Sequence, residues 1–338
     1  MRSALPGKLF FVPLVTASVL VMAPAPSRAD VTLGGHVKSF VFQQLGDPWE
    51  LALAGARLQL AARGSVGDVA SFYGAVDFQL DSRLLAADQS LRRGEGLDVF
   101  PVEIYALISK GPVDLKLGQQ FVFWGRTSWV NPTDVITAWD YPNMASEIED
   151  YRRAPLAARL QWSIMGELVL DAVWVPIFRP NRLGPFTVQS MSGLPVVEGE
   201  ALLPEAHAKN GEFGLRLSQT VSRWAFDWAI AAYKGFEKMP AMVFMPRYPA
   251  GATAPDALVL TRHYDPLYMV GVDIAKAYGP LVFKAEGALK ITDDWKGDDL
   301  TVGNSRVEAV AGIDYALGDT LKLGAQYIHT TRINYSRA

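Results

Sequence analysis

Between Gly118 and Ala154 the chain concentrates side chains able to grip a small molecule without reacting with it. Trp124, Trp129 and Trp139 are flat apolar walls, while Arg126, Asp134, Asp140, Arg152 and Arg153 are charged contacts. Asn131-Pro132-Thr133-Asp134 reads as a turn, because Asn can bond its own backbone and Pro fixes φ. Rings and charges in one loop suit either a constriction that recognises a solute or, more plainly, an aromatic girdle beside a capped turn. Covalent chemistry is not expected. The four histidines, His36, His207, His263 and His329, stand far apart, and with no cysteine there is no thiolate for zinc or an iron–sulfur cluster. No G-x-S-x-G, H-E-x-x-H, phosphate-binding loop or EF-hand is present. His263 lies two residues from Asp265, which could orient an imidazole, but a solvated loop histidine is the simpler reading. The expectation is a protein that is not an enzyme and needs no cofactor or metal.

The elements that must hold this loop have a period of two. In Ala70 to Asp81, Phe72, Val76, Phe78 and Leu80 share one face, and Ser71, Tyr73, Asp77, Gln79 and Asp81 the other. Arg223 to Lys234, Leu281 to Lys290 and Arg306 to Tyr315 alternate in the same way. Counting such segments predicts about thirteen strands, at 33–43, 52–63, 69–80, 98–109, 112–121, 155–163, 167–176, 210–219, 223–234, 266–276, 280–290, 304–315 and 320–330. Gly34-Gly35 in the first of them reads as a bend or bulge.

Connections alternate between tight glycine turns and long loops over 81–97, 122–154, 177–209, 235–265 and 291–303. That asymmetry, with strands of about ten residues, predicts an all-β, transmembrane, antiparallel up-and-down β-barrel of the outer-membrane type. A soluble sandwich would show the same alternation. The export signal, the absence of cysteine and the repeat of about 24 residues favour the membrane barrel. Complete barrels have even strand numbers, so about 14 strands, or 16, are expected. Either one strand escapes the count or the sequence lacks its last strand or strands; the latter is the expectation.

Residues 1–29 read as a secretory signal peptide: Arg2 and Lys8, an apolar run from Leu9 to Met22, then Ser27-Arg28-Ala29 before Asp30. Residues 30–338 then form a single barrel domain, with the 122–154 loop able to fold into the lumen. Removing the leader leaves 29 basic against 35 acidic residues and no basic tract, which excludes nucleic acid as a partner. With hydrophobic residues at 50% and aromatic residues at 11%, the chain is not disordered.

The polar face, directed inward, sets Arg57, Asp77, Glu103, Lys116, Arg159, Asp171, Arg216, Asp227, Lys284, Glu286, Arg306 and Glu308 along a lumen. Arg63, Asp114, Glu167, Glu212 and Lys322 join them. The signs are mixed, which argues against strong ion selectivity.

The run Gly118…Trp124-Gly125-Arg126…Asn131-Pro132-Thr133-Asp134, followed by acids and Arg152-Arg153, resembles a poorly characterised family of proteobacterial outer-membrane porin-like barrels. Members carry a strand ending W-G-(R/K) and then N-P-x-D, and the likeness covers about 50 residues here. Many have an acid between the Arg and the Asn, where this chain has Thr127-Ser128. The resemblance implies an outer-membrane barrel in a Gram-negative bacterium, passing a solute or serving an export system. The expected function is therefore passive passage of a small solute. The alternatives are a silent barrel partnering a periplasmic export or electron-transfer system and, further off, a membrane hydrolase. Membrane lipid and a small solute are the expected partners, with a homo-oligomer or a periplasmic protein as further options.

Overall fold

The computed structural model describes residues 9–12, 16–17, 30–44, 50–82, 97–143, 148–184, 190–299, 301–318 and 320–334. The expected leader lies outside them apart from Leu9–Val12 and Thr16–Ala17, which pair antiparallel with the first long strand. The chain divides into two compact units. The first comprises Met1–Lys110, Lys116–Gln120 and Asn143–Ala154; the second comprises Gly111–Leu115, Phe121–Pro142 and Pro155–Ala338.

The period-two segments are strands. In the first unit β1 (Asp30–Gln44), β2 (Glu50–Val66), β3 (Ala70–Asp81) and β4 (Leu97–Lys110) pair consecutively and antiparallel. Residues of β5 (Val113–Gln119) belong to both units. In the second, β6 (Leu156–Met165), β7 (Leu168–Val175), β8 (Glu212–Val221), β9 (Phe226–Phe236), β10 (Pro266–Tyr278), β11 (Leu281–Ile291), β12 (Arg306–Leu317) and β13 (Leu321–Arg332) do the same. The class is all-β, antiparallel and up-and-down, as the alternation predicts.

Of the bend or bulge expected at Gly34-Gly35, the bulge is overturned: both glycines keep regular register with β2, and the shift in that pair falls between Phe42 and Gln43. Gly35 is there for closeness instead, since a Cβ on it would stand 2.2 Å from the Gln59 carbonyl oxygen. A second difference concerns the long connections over 177–209 and 235–265. They hold a four-stranded sheet of their own, ordered Ser190–Met191, Leu194–Glu198, Ala257–His263, Ala241–Arg247. Its base is pinned where Lys238 Nζ donates to both oxygens of Glu212, at 2.7 and 2.8 Å, with the Phe178 ring 4.7 Å away on another side. Burial lowers the Lys238 pKa, and the Glu212 carboxylate draws it partly back.

Polarity across the strands is inverted relative to a water-soluble protein. On β10, Leu267, Met269, Gly271 and Asp273 are buried, while Tyr268, Val270, Val272 and Ile274 are exposed. Asp273 is 1% exposed and its neighbour Val272 is 52% exposed. The first unit repeats the arrangement: Arg57, Asp77 and Gln79 are buried, and Leu58, Leu60, Phe78 and Leu80 face out. Each exposed Leu, Val or Ile forgoes about 1.5–3 kcal/mol relative to burial. A water-soluble chain would not leave rows of them uncovered.

Tight turns carry left-handed glycines at Gly67, Gly166, Gly279 and Gly318, where a side chain would be strained. The β8–β9 turn departs from this, holding Ala225 at φ 46°. Ala225→Gly should relieve about 0.5–1 kcal/mol of strain net of the entropy that glycine loses. The expected result is a higher urea midpoint for unfolding from vesicles, read as the gel shift between folded and unfolded forms; a lower midpoint would show that the turn is not strained.

Candidate functional site

The inward face of the second unit is a wall of charges that neutralise one another across neighbouring strands. Arg159 grips Asp171 with two hydrogen bonds, Nε at 2.9 Å and Nη2 at 2.6 Å. Arg216 Nη2 donates to Asp273 at 2.9 and 3.1 Å. Lys284 and Lys322 both reach Asp314, at 2.7 and 3.2 Å. Arg306 joins Glu237 and Glu308, each at 2.6 Å, and Lys290 reaches Glu308 at 2.8 Å. Short charged hydrogen bonds of this kind are what make a buried carboxylate tolerable.

Residues 121–142 lie on that wall. Strand-like alternation continues past β5: Val122 and Trp124 are buried, whereas Phe123 between them is exposed and Phe121 half-buried. Thr137 fastens this stretch, its Oγ1 accepting from the Val122 amide at 3.0 Å and donating to the Val122 carbonyl at 2.7 Å. Trp124 Nε1 donates to Asp171 at 3.4 Å. Its ring fills the space over Gly214, where a Cβ would come within 2.5 Å of it. Thr133 lies over Gly271 in the same way, with Cγ2 at 2.4 Å from a Cβ built there.

Two carboxylates of the wall anchor the W-G-R…N-P-T-D run. Glu286 Oε1 accepts from both the backbone amide and the hydroxyl of Thr133, each at 2.8 Å. Glu286 Oε2 accepts from the Arg126 amide at 3.2 Å. Asp273 takes the Arg126 guanidinium at 2.8 Å, and Asp227 takes its other side at 3.3 Å. Gly125 must be glycine here: φ is +93°, and a Cβ would stand 2.6 Å from Glu286 Oε2. Asn131 closes the turn, its carbonyl oxygens accepting from the Thr127 hydroxyl at 2.7 Å (side chain) and from the Asp134 amide at 3.1 Å (backbone). Ser128 Oγ receives Lys284 Nζ at 3.0 Å and donates to Asp314 at 3.3 Å.

Farther along, the Trp139 amide donates to Asn181 Oδ1 at 2.7 Å, and Arg182 Nη1 donates to Asp140 at 3.3 Å. Trp129 is exposed, with its ring edge 3.9 Å from where a Cβ on Gly324 of β13 would lie. Arg152 and Arg153 belong to the first unit, buried and half-buried. In that unit Asp150 is the docking point: Lys38 Nζ reaches it at 3.1 Å and Arg57 Nη1 at 2.9 Å. Glu103 and Lys116 are half-buried, and Lys116 Nζ lies 4.0 Å from the centre of the Tyr105 ring. His263 does pair with Asp265, Nδ1 to Oδ1 at 2.6 Å, at the end of a strand of the small sheet.

Asp273 and Asp150 are the residues that a reading of the sequence passes over. Asp273 sits on β10, whose two faces are both mostly apolar, so alternation reveals no polar side. A lone acid in such a strand is the signal that could have found it, since a buried charge needs partners.

A family model described as "Protein of unknown function (DUF1302)" matches residues 82–290. No curated protein matches the chain significantly. Among solved structures, OmpF of Salmonella typhi in complex with daunomycin is similar at 10% identity and a TM-score of 0.47, covering 90% of this chain and 79% of that one. An OmpT of Vibrio cholerae lacking loop L8, described as an outer membrane protein, is similar at 11% identity and 0.48, covering 90% and 82%. A triple mutant of the porin of Rhodopseudomonas blastica follows at 11% identity and 0.34, covering 88% and 94%.

Proposed function

The chain belongs to the DUF1302 family of proteins of unknown function, and we propose that it is an outer-membrane β-barrel channel for passive passage of a small solute. The inverted polarity of its strands carries this reading: outward rows of Val, Ile, Leu and aromatic residues suit lipid, and inward paired charges suit water. Dimensions agree. Tyr268 and Tyr278 are ten residues apart on the outward face of β10, which is about 33 Å along the strand. At a tilt of about 40° they stand about 25 Å apart in height, the depth of a lipid-facing apolar band. Trp174, Phe213 and Tyr268 cluster toward the long-loop end, and Trp224, Tyr278 and Tyr315 toward the tight-turn end, as interfacial belts do.

In this reading residues 1–29 are removed on export, the tight turns face the periplasm, and the 121–142 segment narrows the passage. Trp124, Arg126 and Asn131 hold that segment in place, and Trp129, Trp139, Asp134 and Asp140 shape what it presents. Protein recovered from outer membranes should therefore begin at Asp30, as amino-terminal sequencing would read. Reconstituted into a planar bilayer, the same protein should give stable conductance steps. A folded, heat-modifiable protein that stays silent would overturn the channel and leave a barrel that works through a periplasmic partner.

A further inference from the structure

The 121–142 segment carries Arg, Asp, Asn, Ser and Thr side chains, and the hydrogen bonds described above commit most of their polar groups to the wall. What remains outermost on the segment is different in kind. Phe123 is 48% exposed, Trp129 56% and Tyr141 47%. Phe123 lies on the opposite side of the extended run from Val122 and Trp124, so it points away from the wall. Its ring stacks on Phe121 with centroids 5.3 Å apart and planes 15° apart. Tyr141 stacks on Trp139 at 6.2 Å and 18°. A solute passing this segment therefore meets stacked ring faces, with the charges behind them already paired. Ring faces attract flat apolar faces and hold isolated ions poorly once the neighbouring charges are neutralised.

Resting on the channel reading, we infer that the solute is a neutral molecule with a flat apolar face, an aromatic ring or the apolar side of a pyranose, and that Phe123, Trp129 and Tyr141 make its stacking contacts. Arg126, which stands out in the sequence as a charged contact, serves to hold the segment.

The test uses benzamide as the aromatic probe, methyl glucoside as the pyranose and glycerol as a neutral polyol without a flat face. Each is added to single channels of the intact mature protein and, separately, dialysed to equilibrium against the detergent-solubilised protein. One ring probe should block and be retained at concentrations where glycerol is not, and which one does so separates an aromatic solute from a sugar. The double variant Phe123→Ala, Trp129→Ala should raise the half-blocking concentration about tenfold, whereas Tyr248→Ala, exposed on the small sheet's connection, should leave it unchanged. A conducting channel in which glycerol blocks as well as both rings would overturn the inference and leave the channel reading standing. If the protein conducts nothing, dialysis decides. Ring retention lost in the double variant supports the stacking contacts; no retention overturns them.

Discussion

Glu286→Ala is expected to free residues 125–134 from the inner wall of the second unit. Glu286 accepts three hydrogen bonds from this run, two from backbone amides and one from the Thr133 hydroxyl. Removing it leaves the buried Thr133 amide and hydroxyl without their acceptor, and bonds to a charged group are worth about 1.5–3 kcal/mol each when considered singly. Non-additivity reduces the total, but a cost of about 4 kcal/mol exceeds what a short segment can absorb while staying docked. Trypsin should then cut after Arg126, a bond protected in the parent by docking on Asp273 and Asp227. Single-channel conductance should rise several-fold as the segment leaves the passage. The proteolysis readout does not depend on conduction. A variant as resistant to trypsin as the parent would show that the segment is held by other contacts.

Asp273→Asn should damage the folded protein itself. The buried carboxylate balances two guanidiniums, Arg126 at 2.8 Å and Arg216 at 2.9 Å. An amide offers one acceptor and no charge, so a positive charge is left over beside a position that is 1% exposed. Breaking a buried ion pair from one side costs about 3–5 kcal/mol. The expected outcome is a fall in refolding yield into vesicles and a lower urea midpoint. Adding Arg216→Met to the Asp273→Asn background removes the surplus charge and should recover part of the loss, with a coupling of about 1–3 kcal/mol between the two positions. Additive effects in the double variant would show that Asp273 acts through packing and not through charge balance.

The strands were legible because their signals are local. β3, β11 and β12 announce themselves by alternation, and a turn glycine lies within a few residues of one end of each. The small sheet was not legible for the opposite reason. Its Val196–Glu198 stretch pairs in parallel with Leu258–Leu260, about sixty residues away, and neither segment has a turn signal tying it to the other. The motif loop divides along the same line. Its tryptophans, its turn and its arginine are visible by type, but what they do depends on which wall residue faces them. Arg126 reads as a solute contact until Asp273 and Asp227 are seen on either side of it. Trp124 reads as an apolar wall for a solute until it is found closed over Gly214. Residue type is written locally, whereas partnership across 147 positions, as between Arg126 and Asp273, is not.

Gly214 and Gly271 make the wall a mould for one particular casting. A β-branched side chain at either position would occupy space already filled by Trp124 or Thr133, so a larger residue in the sheet displaces the segment docked on it. Transplanting residues 121–142 into another sheet would fail without these two vacancies beneath it. Conversely, bore could be adjusted from the sheet side alone: alanine, then valine, at position 271 would lift the segment by increments and widen or block the passage without altering one residue of the segment itself.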